Sequence, residues 1–412
     1  MENNVSPKKE RVLSLDVLRG FDLFVLLCVG PLFLSLAAGP FKDFFQTNAW
    51  GKAIEAQFHH VRWEGFVAWD LIMPLFLFMV GAAIPFSLSK YTSGSEEKPT
   101  FRLYFRIIRR FLLLWILGMI AQGHLLDLKI QGLNFYSNTL QAIAAGYLIS
   151  SILYLIFRIK GQILITILLL AAYWALMTFV KFGDFGGGSF LPESNLSEGI
   201  DQKVLGCWRA GVVFQKDGSW AFSTTSHYTW ILSSLTFAAT VMTGLFAGEL
   251  IRTGIAKNTE GEADEKKKKS VRVRIFGLLL LIGVLLTAAG FGWSKIPEGS
   301  PGYCPLIKTI WTPSMVLFSS GLSFILLALF YAFYDLFGFR CGSTLFKVIG
   351  MNAIAAYMLP RFFNFSTIAK MPLHGLEQYM GVWYTPLITF SGFMLVWFIL
   401  WGLYRSGRFL RV

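Results

Sequence analysis

Long uninterrupted apolar runs recur along this chain and limit its fold more than any other feature does. A helix rises ~1.5 Å per residue, so about 18 to 25 apolar residues cover the hydrocarbon core of a bilayer. About ten such runs can be picked out by that measure. They begin near Ser14, Trp69, Tyr104, Thr139, Ile163, Thr229, Ile275, Pro313, Leu345 and Trp383. The expected fold class is therefore all-α, a polytopic integral membrane helix bundle. Composition agrees, because 55% apolar and only 15% charged residues, with a mean hydropathy of +0.56, leave too little polar surface to cover a water-soluble fold of 412 residues.

The formal net charge of +13 could suggest nucleic acid, but the cations sit between apolar runs rather than on one continuous basic face. They serve better as orientation signals, since cytoplasmic loops of membrane proteins carry the excess of Lys and Arg. With the N-terminal Lys8, Lys9 and Arg11 inside, the inner segments hold 24 of the 37 cations and the outer loops 12, with Arg19 inside the first span. An even helix count then places both termini in the cytoplasm and all five histidines, His59, His60, His124, His227 and His374, on the outer side. Residues 1–412 read as one transmembrane domain, with a large periplasmic loop at 181–228 and a charged cytoplasmic linker at 255–271. Four cysteines without clustered spacing give neither a disulfide framework nor a zinc ribbon, and no metal is expected. Whether Cys207 and Cys304 pair across the outer side is left open.

Ionised residues inside a transmembrane helix are costly, so those that persist face a partner or a cavity. The first span carries Asp16, Arg19 and Asp22 at intervals of three, which puts neighbours on one helical face; an internal ion pair and direct ligand contact are both open. The segment FHHVRWEGFVAWDLIMPLFLFMVG sets His59, His60, Arg62 and Glu64 just outside the membrane and Asp70 at the start of the second span. Histidine exchanges a proton near neutral pH, and a carboxylate can orient it. At the cytoplasmic mouth of the third span, Arg106, Arg109 and Arg110 either anchor the helix or offer a guanidinium to a phosphorylated ligand.

Six blocks, RVLSLDVLRGFDLF, FHHVRWEGFVAWDLIMPLFLFMVG, IIRRFLLLWILG, LQAIAAGY, IKTIWTPSMVL and IGMNAIAAY, occur in this order. Together they resemble the heparan-α-glucosaminide N-acetyltransferase family and its bacterial relatives among the transmembrane acyltransferases. The resemblance implies a protein of the bacterial inner membrane, surrounded by lipid and compatible with a homodimer. Its reaction would move an acetyl group from cytosolic acetyl-CoA to an amino sugar or glycan on the periplasmic side. His60, three residues before Trp63, fills the position of the essential histidine, as general base or acyl carrier, with Asp70 as its catalytic companion. Arg109, Arg19, Asp16, Lys308, Trp311 and Asn352 fall on matching positions expected around acetyl-CoA. Two positions depart from the pattern. Gly30 stands where relatives carry Asn, and His227, Tyr228, Thr229 and Trp230 stand where many relatives have an acidic stretch. A secondary transporter for a sugar or amino sugar is the alternative, although no inverted repeat is evident.

Overall fold

The computed structural model describes residues 12–92, 98–123, 133–223, 228–259 and 265–410, with side chains 257–259 and 265 excepted. The basic N-terminus, His124, His227 and the acidic centre of the charged linker lie outside these residues.

The first span is one continuous helical rod, Leu13–Ala38, made of α1 (Leu13–Phe24), a π-turn at Val25–Val29 and α2 (Gly30–Ala38). Two short helices, α3 (Lys42–Thr47) and α4 (Ala49–Ala56), follow at that end of the bundle. After a tight 3₁₀ turn at Ala68–Leu71 comes α5 (Ile72–Leu88), then α6 (Phe101–Ala121), α7 (Thr139–Ile156) and α8 (Ile159–Phe179). The long loop after α8 is folded: a β1–β2 hairpin (Lys181–Phe182, Phe185–Gly186), α9 (Leu196–Leu205) and a β3–β4 hairpin (Val212–Phe214, Trp220–Phe222). The second half comprises α10 (Ser233–Thr259), α11 (Glu265–Ser294), α12 (Pro313–Tyr331), α13 (Ser343–Met351) and α14 (Ala353–Phe362). It ends with α15 (Phe365–Leu373), α16 (Glu377–Met380) and α17 (Tyr384–Arg405).

Among the described residues, eight helices are long and apolar enough to cross a membrane. Two of the expected runs fall outside that set for different reasons. The third run forms the single helix α6, but even its most apolar part keeps Arg106, Arg109 and Arg110. The ninth is broken at Asn352, whose backbone (φ −118, ψ 37) leaves the helical region and splits it into α13 and α14. The charged linker is also shorter than its composition indicates, because α10 runs to Thr259 and α11 starts at Glu265.

The bundle is packed by contacts that only small residues permit. A Cβ on Gly20 would stand 1.7 Å from the Phe346 carbonyl oxygen, and one on Gly350 would stand 2.1 Å from that of Asp16, so α1 and α13 touch backbone to backbone. Such close approach replaces the hydrophobic driving force that is missing between helices in lipid. The same logic sets hydroxyls between helices, as where Thr243 donates to Ser320 at 2.9 Å. The most apolar window of α10 is 72% buried and that of α11 only 22%, so α10 is central and α11 peripheral. Outward-facing Leu164, Ile167, Leu281 and Leu285 are all more than half exposed, a surface that suits hydrocarbon. Cys304 is buried with its thiol 3.6 Å from the Ser314 hydroxyl, and Cys207 is half-buried; both thiols are free.

Asp335, in the π-turn Ala332–Leu336 that continues α12, accepts hydrogen bonds from the backbone N–H groups of Leu13 and Ser14 at 3.1 and 3.0 Å. The start of α1 and the end of α12 therefore share one end of the bundle. The start of α13 and the end of α17 meet there too, with the Lys347 ammonium 5.7 Å from the Tyr404 ring. His60 lies at the opposite end, beside the N-terminus of α5.

Candidate active site

The loop before α5 is drawn closed by one side chain and one carbonyl. Gln57 accepts the Trp69 N–H at its backbone oxygen (3.0 Å) and the Ala68 N–H at its side-chain oxygen (3.1 Å). This closure brings His60 onto Asp70, ten residues later. The imidazole Nδ1 lies 2.7 Å from Asp70 Oδ1, and the carboxylate is 2% exposed while the imidazole is 54% exposed. A carboxylate facing Nδ1 favours the tautomer with the proton on Nδ1 and the lone pair on Nε2. His59 is turned elsewhere, with its Nε2 3.8 Å from Glu55 on the exposed side of α4.

A third charge completes the group. The Lys308 ammonium donates to Asp70 Oδ1 at 3.1 Å and sits 3.4 Å from His60 Nδ1 while remaining 7% exposed. Lys308 is fixed by a loop with little freedom. The Gly65 N–H binds the Leu306 carbonyl at 2.8 Å, the Thr229 N–H binds that of Thr309 at 3.1 Å, and Tyr173 and Ser233 hydroxyls both donate to Ile310. Trp311 closes the turn with its N–H on the Lys308 carbonyl (3.0 Å), at a φ of 52°. A left-handed non-glycine residue costs about 1–3 kcal/mol and persists only where its surroundings over-determine it. Here a fully buried indole donates to the Thr240 hydroxyl at 3.0 Å, which ties the turn to α10. Trp311 thus positions Lys308 from behind.

His60 and Lys308 open onto a cavity of ≈ 310 Å³. Its polar wall also includes Ser137, Asn138, Tyr357 and Arg361, and its aromatic wall Trp69, Tyr228 and Trp230. Asn138 is the N-cap of α7, where it accepts the Leu140 N–H and forms a capping box with Gln141, so its side chain is held at the cavity edge. Trp69 explains the departure at Gly30. A Cβ there would lie 2.0 Å from the indole Cη2, so the ring occupies the space that a side chain at this position would need.

Of the residues singled out in the sequence, His60, Asp70 and Lys308 meet directly, and Trp311 supports them. The others lie elsewhere. Asp16 and Arg19 are half-buried on α1, near the Gly20–Gly350 crossing. Asn352 is fully buried at the helix break, and both atoms of its amide lack a hydrogen-bond partner among the described residues. Arg109 is exposed on α6, whereas the neighbouring Arg110 turns inward, 4.4 Å from the Tyr147 ring. Sequence reasoning missed Asn138, Tyr357 and Arg361. The signal for Asn138 was the Asn-x-x-Gln spacing ahead of an apolar run; Arg361 followed an unremarked Pro360.

Comparison with known proteins gives two findings. A domain of unknown function (DUF5009) matches residues 11–187. The chain is 23% identical over 399 residues to the human (Homo sapiens) heparan-alpha-glucosaminide N-acetyltransferase, a match that covers 84% of this chain and 52% of that protein. The chain thus spans about half the length of this curated relative. At that level of identity, this multi-pass membrane chain is similar to heparan-alpha-glucosaminide N-acetyltransferase over most of its length.

Proposed function

We propose that the protein is a transmembrane acyltransferase that carries an acetyl group from cytosolic acetyl-CoA to an amino sugar or glycan on the opposite face. The observation that carries this reading is the His60–Asp70–Lys308 group on the wall of a cavity, with Nδ1 2.7 Å from a buried carboxylate and the imidazole 54% exposed. The acceptor's amine or hydroxyl attacks the thioester carbonyl while Nε2 takes its proton. A bond from the carbonyl carbon to acceptor nitrogen or oxygen forms, the C–S bond breaks, and the imidazolium returns the proton to the departing thiolate. Asp70 stabilises the imidazolium, and Lys308 donates to the same carboxylate oxygen. An alternative order has Nε2 attack first and hold the acetyl group before the acceptor takes it. The distant relationship to an N-acetyltransferase supports the reaction class.

The broken helix at Asn352 is the one feature that favours a transporter, because discontinuous helices commonly line substrate paths. One assay separates the two readings. Purified protein in liposomes, given labelled acetyl-CoA on one side and a panel of amino sugars on the other, is expected to yield acetylated sugar. Uptake of unmodified sugar without acetylation would establish the transporter instead. In the same assay, Asp70→Asn is expected to lower turnover about 10²–10⁴-fold, the range of general-base contributions.

A further inference from the structure

The helical wall of the His60 cavity is interrupted beside Arg361. Between the end of α14 at Phe362 and the start of α15 at Phe365, two residues leave helical geometry, Phe363 at φ −129, ψ 131 and Asn364 at φ −82, ψ 89. The packing against α17 fixes the level of this break. A Cβ on Gly392 would stand 3.0 Å from the Ser366 nitrogen, so α15 starts beside Gly392. From there it climbs along α17, until the Lys370 ammonium lies 5.7 Å from the Tyr384 ring. The eight residues from Gly392 back to Tyr384 span about 12 Å at helical rise. Tyr384 follows Trp383, and a Cβ on Gly39, just past the first span, would stand 2.9 Å from the Val382 carbonyl oxygen. Two spans thus end at one level marked by Trp and Tyr, which favour the membrane surface, and the break lies about 12 Å beneath it.

Non-helical backbone at that depth is tolerated where protein packs it or where it borders a cavity, not against hydrocarbon. Packing does not cover this break, because Phe362 and Phe363 are 55% and 54% exposed and Asn364, Ser366 and Thr367 are exposed as well. Arg361 adjoins the break, is itself exposed, and lines the His60 cavity with Tyr357 and Asn138. Its guanidinium lies 5.5 Å from the Tyr357 ring, and among the described residues no carboxylate pairs with it. A cation at bilayer depth is costly without a counter-charge, and a phosphate supplies one through bidentate hydrogen bonds. At ≈ 310 Å³ the cavity stands at the small end of ligand pockets, which run about 300–1,000 Å³. It suits a single sugar and leaves a long apolar tail outside, where Phe362, Phe363 and Ile368 are exposed.

We infer that the acceptor is a sugar carried on a lipid phosphate, which enters the His60 cavity sideways at the α14–α15 break, sets its phosphate on Arg361 and turns its amine or hydroxyl toward His60. The inference rests on the acyltransferase reading and narrows its acceptor, with the transfer step unchanged. An ordinary phospholipid headgroup offers Arg361 the same phosphate chemistry, and the test separates the two sources.

The test uses the full chain in nanodiscs of phosphatidylcholine, with and without phosphatidylglycerol, supplied with acetyl-CoA and one of three acceptors. These are glucosamine 1-phosphate, a polyprenyl glucosaminide without phosphate, and glucosamine joined to the same polyprenol through a phosphate. The unmodified protein is expected to favour the last over the phosphate-free glycoside about tenfold or more in kcat/KM, since one charge-assisted contact is gained. Arg361→Gln should erase that ratio, chiefly through KM, and Arg361→Lys should keep most of it, which separates a lost contact from a misfolded chain. Phe363→Ala should lower transfer to the lipid-linked acceptors relative to glucosamine 1-phosphate, because the tail loses a surface at the break. Equal kcat/KM for the two polyprenyl acceptors, or a ratio that survives Arg361→Gln, would overturn the inference and leave the acyltransferase reading standing. An effect of phosphatidylglycerol that disappears in Arg361→Gln, with no preference for the phosphate-linked acceptor, would assign Arg361 to a headgroup and overturn it as well. Absence of acetyl transfer to all three acceptors would remove the acyltransferase reading and this inference together.

Discussion

At the scale of single residues, the cavity beside His60 takes its shape from an indole that stands where a side chain on Gly30 would be. Gly30→Asn forces atoms into the Trp69 ring and is expected to destabilise the protein by about 1–3 kcal/mol, as overpacking does. Trp69→Ala alone opens a void. Together the two changes should cost less than the sum of their separate effects, because each relieves the other. Thermal unfolding of the three purified variants measures this, and strictly additive losses would show that the two positions do not compete for space. The pairing of His60 rather than His59 with Asp70 was legible in the sequence through the resemblance, which sets His60 three residues before Trp63. Its physical reason was not, since the Gln57 contacts that fold the loop back onto Asp70 involve positions with no recognisable pattern. Lys308 was found through its block, but the left-handed turn that aims it shows no glycine, and Trp311 adopts that backbone only because tertiary contacts hold it.

The elements show a second coupling, between the folded loop after α8 and the cavity wall. Asp201 on α9 accepts the Trp230 N–H at 2.7 Å and the Ile231 N–H at 3.0 Å, so its carboxylate holds the start of the α10 segment where Trp230 faces the cavity. Burial pushes the Asp201 carboxyl up to about 7, against the lowering effects of those two N–H groups and of Arg209. An unfolded Asp loses its proton near about 4, so between about pH 4 and 7 the folded protein holds a proton that the unfolded chain has released. Its contribution to stability therefore falls as pH rises through that window. The melting temperature should decline from pH 5 to pH 8, and Asp201→Asn should flatten that decline; an unchanged slope in the variant would assign the dependence to other groups. This linkage could not be read from sequence, because Asp201 and Trp230 are brought together by tertiary folding across 29 residues. The ninth run shows a similar limit. IGMNAIAAY carries Gly350 two residues before the break, but that glycine serves the close approach of α1, and Asn352 departs from helical geometry in the middle of apolar residues. In contrast, the apolar runs behind α5, α7, α10 and α12 were legible because length and composition alone decide them.

On the scale of the whole molecule, a site at one end of the bundle calls for a defined orientation. The proposed one, read from the excess of Lys and Arg, has Lys266 and Lys347 in the cytoplasm and His60 outside. Single cysteines introduced beside Lys266 and beside His60, in a chain free of native cysteines, should react with an impermeant reagent only at the His60 site in intact cells. Labelling beside Lys266 instead would invert the proposed direction of transfer. The central claim is that His60, and not the adjacent His59, moves the proton in acyl transfer. Its most direct test compares His60→Ala and His59→Ala in liposomes that hold labelled acetyl-CoA on the cytoplasmic face and an amino sugar on the other. The account predicts that His60→Ala loses transfer about 10²-fold or more while still binding CoA, and that His59→Ala stays close to the unmodified protein. Full transfer by His60→Ala, or equal loss in both variants, would contradict it.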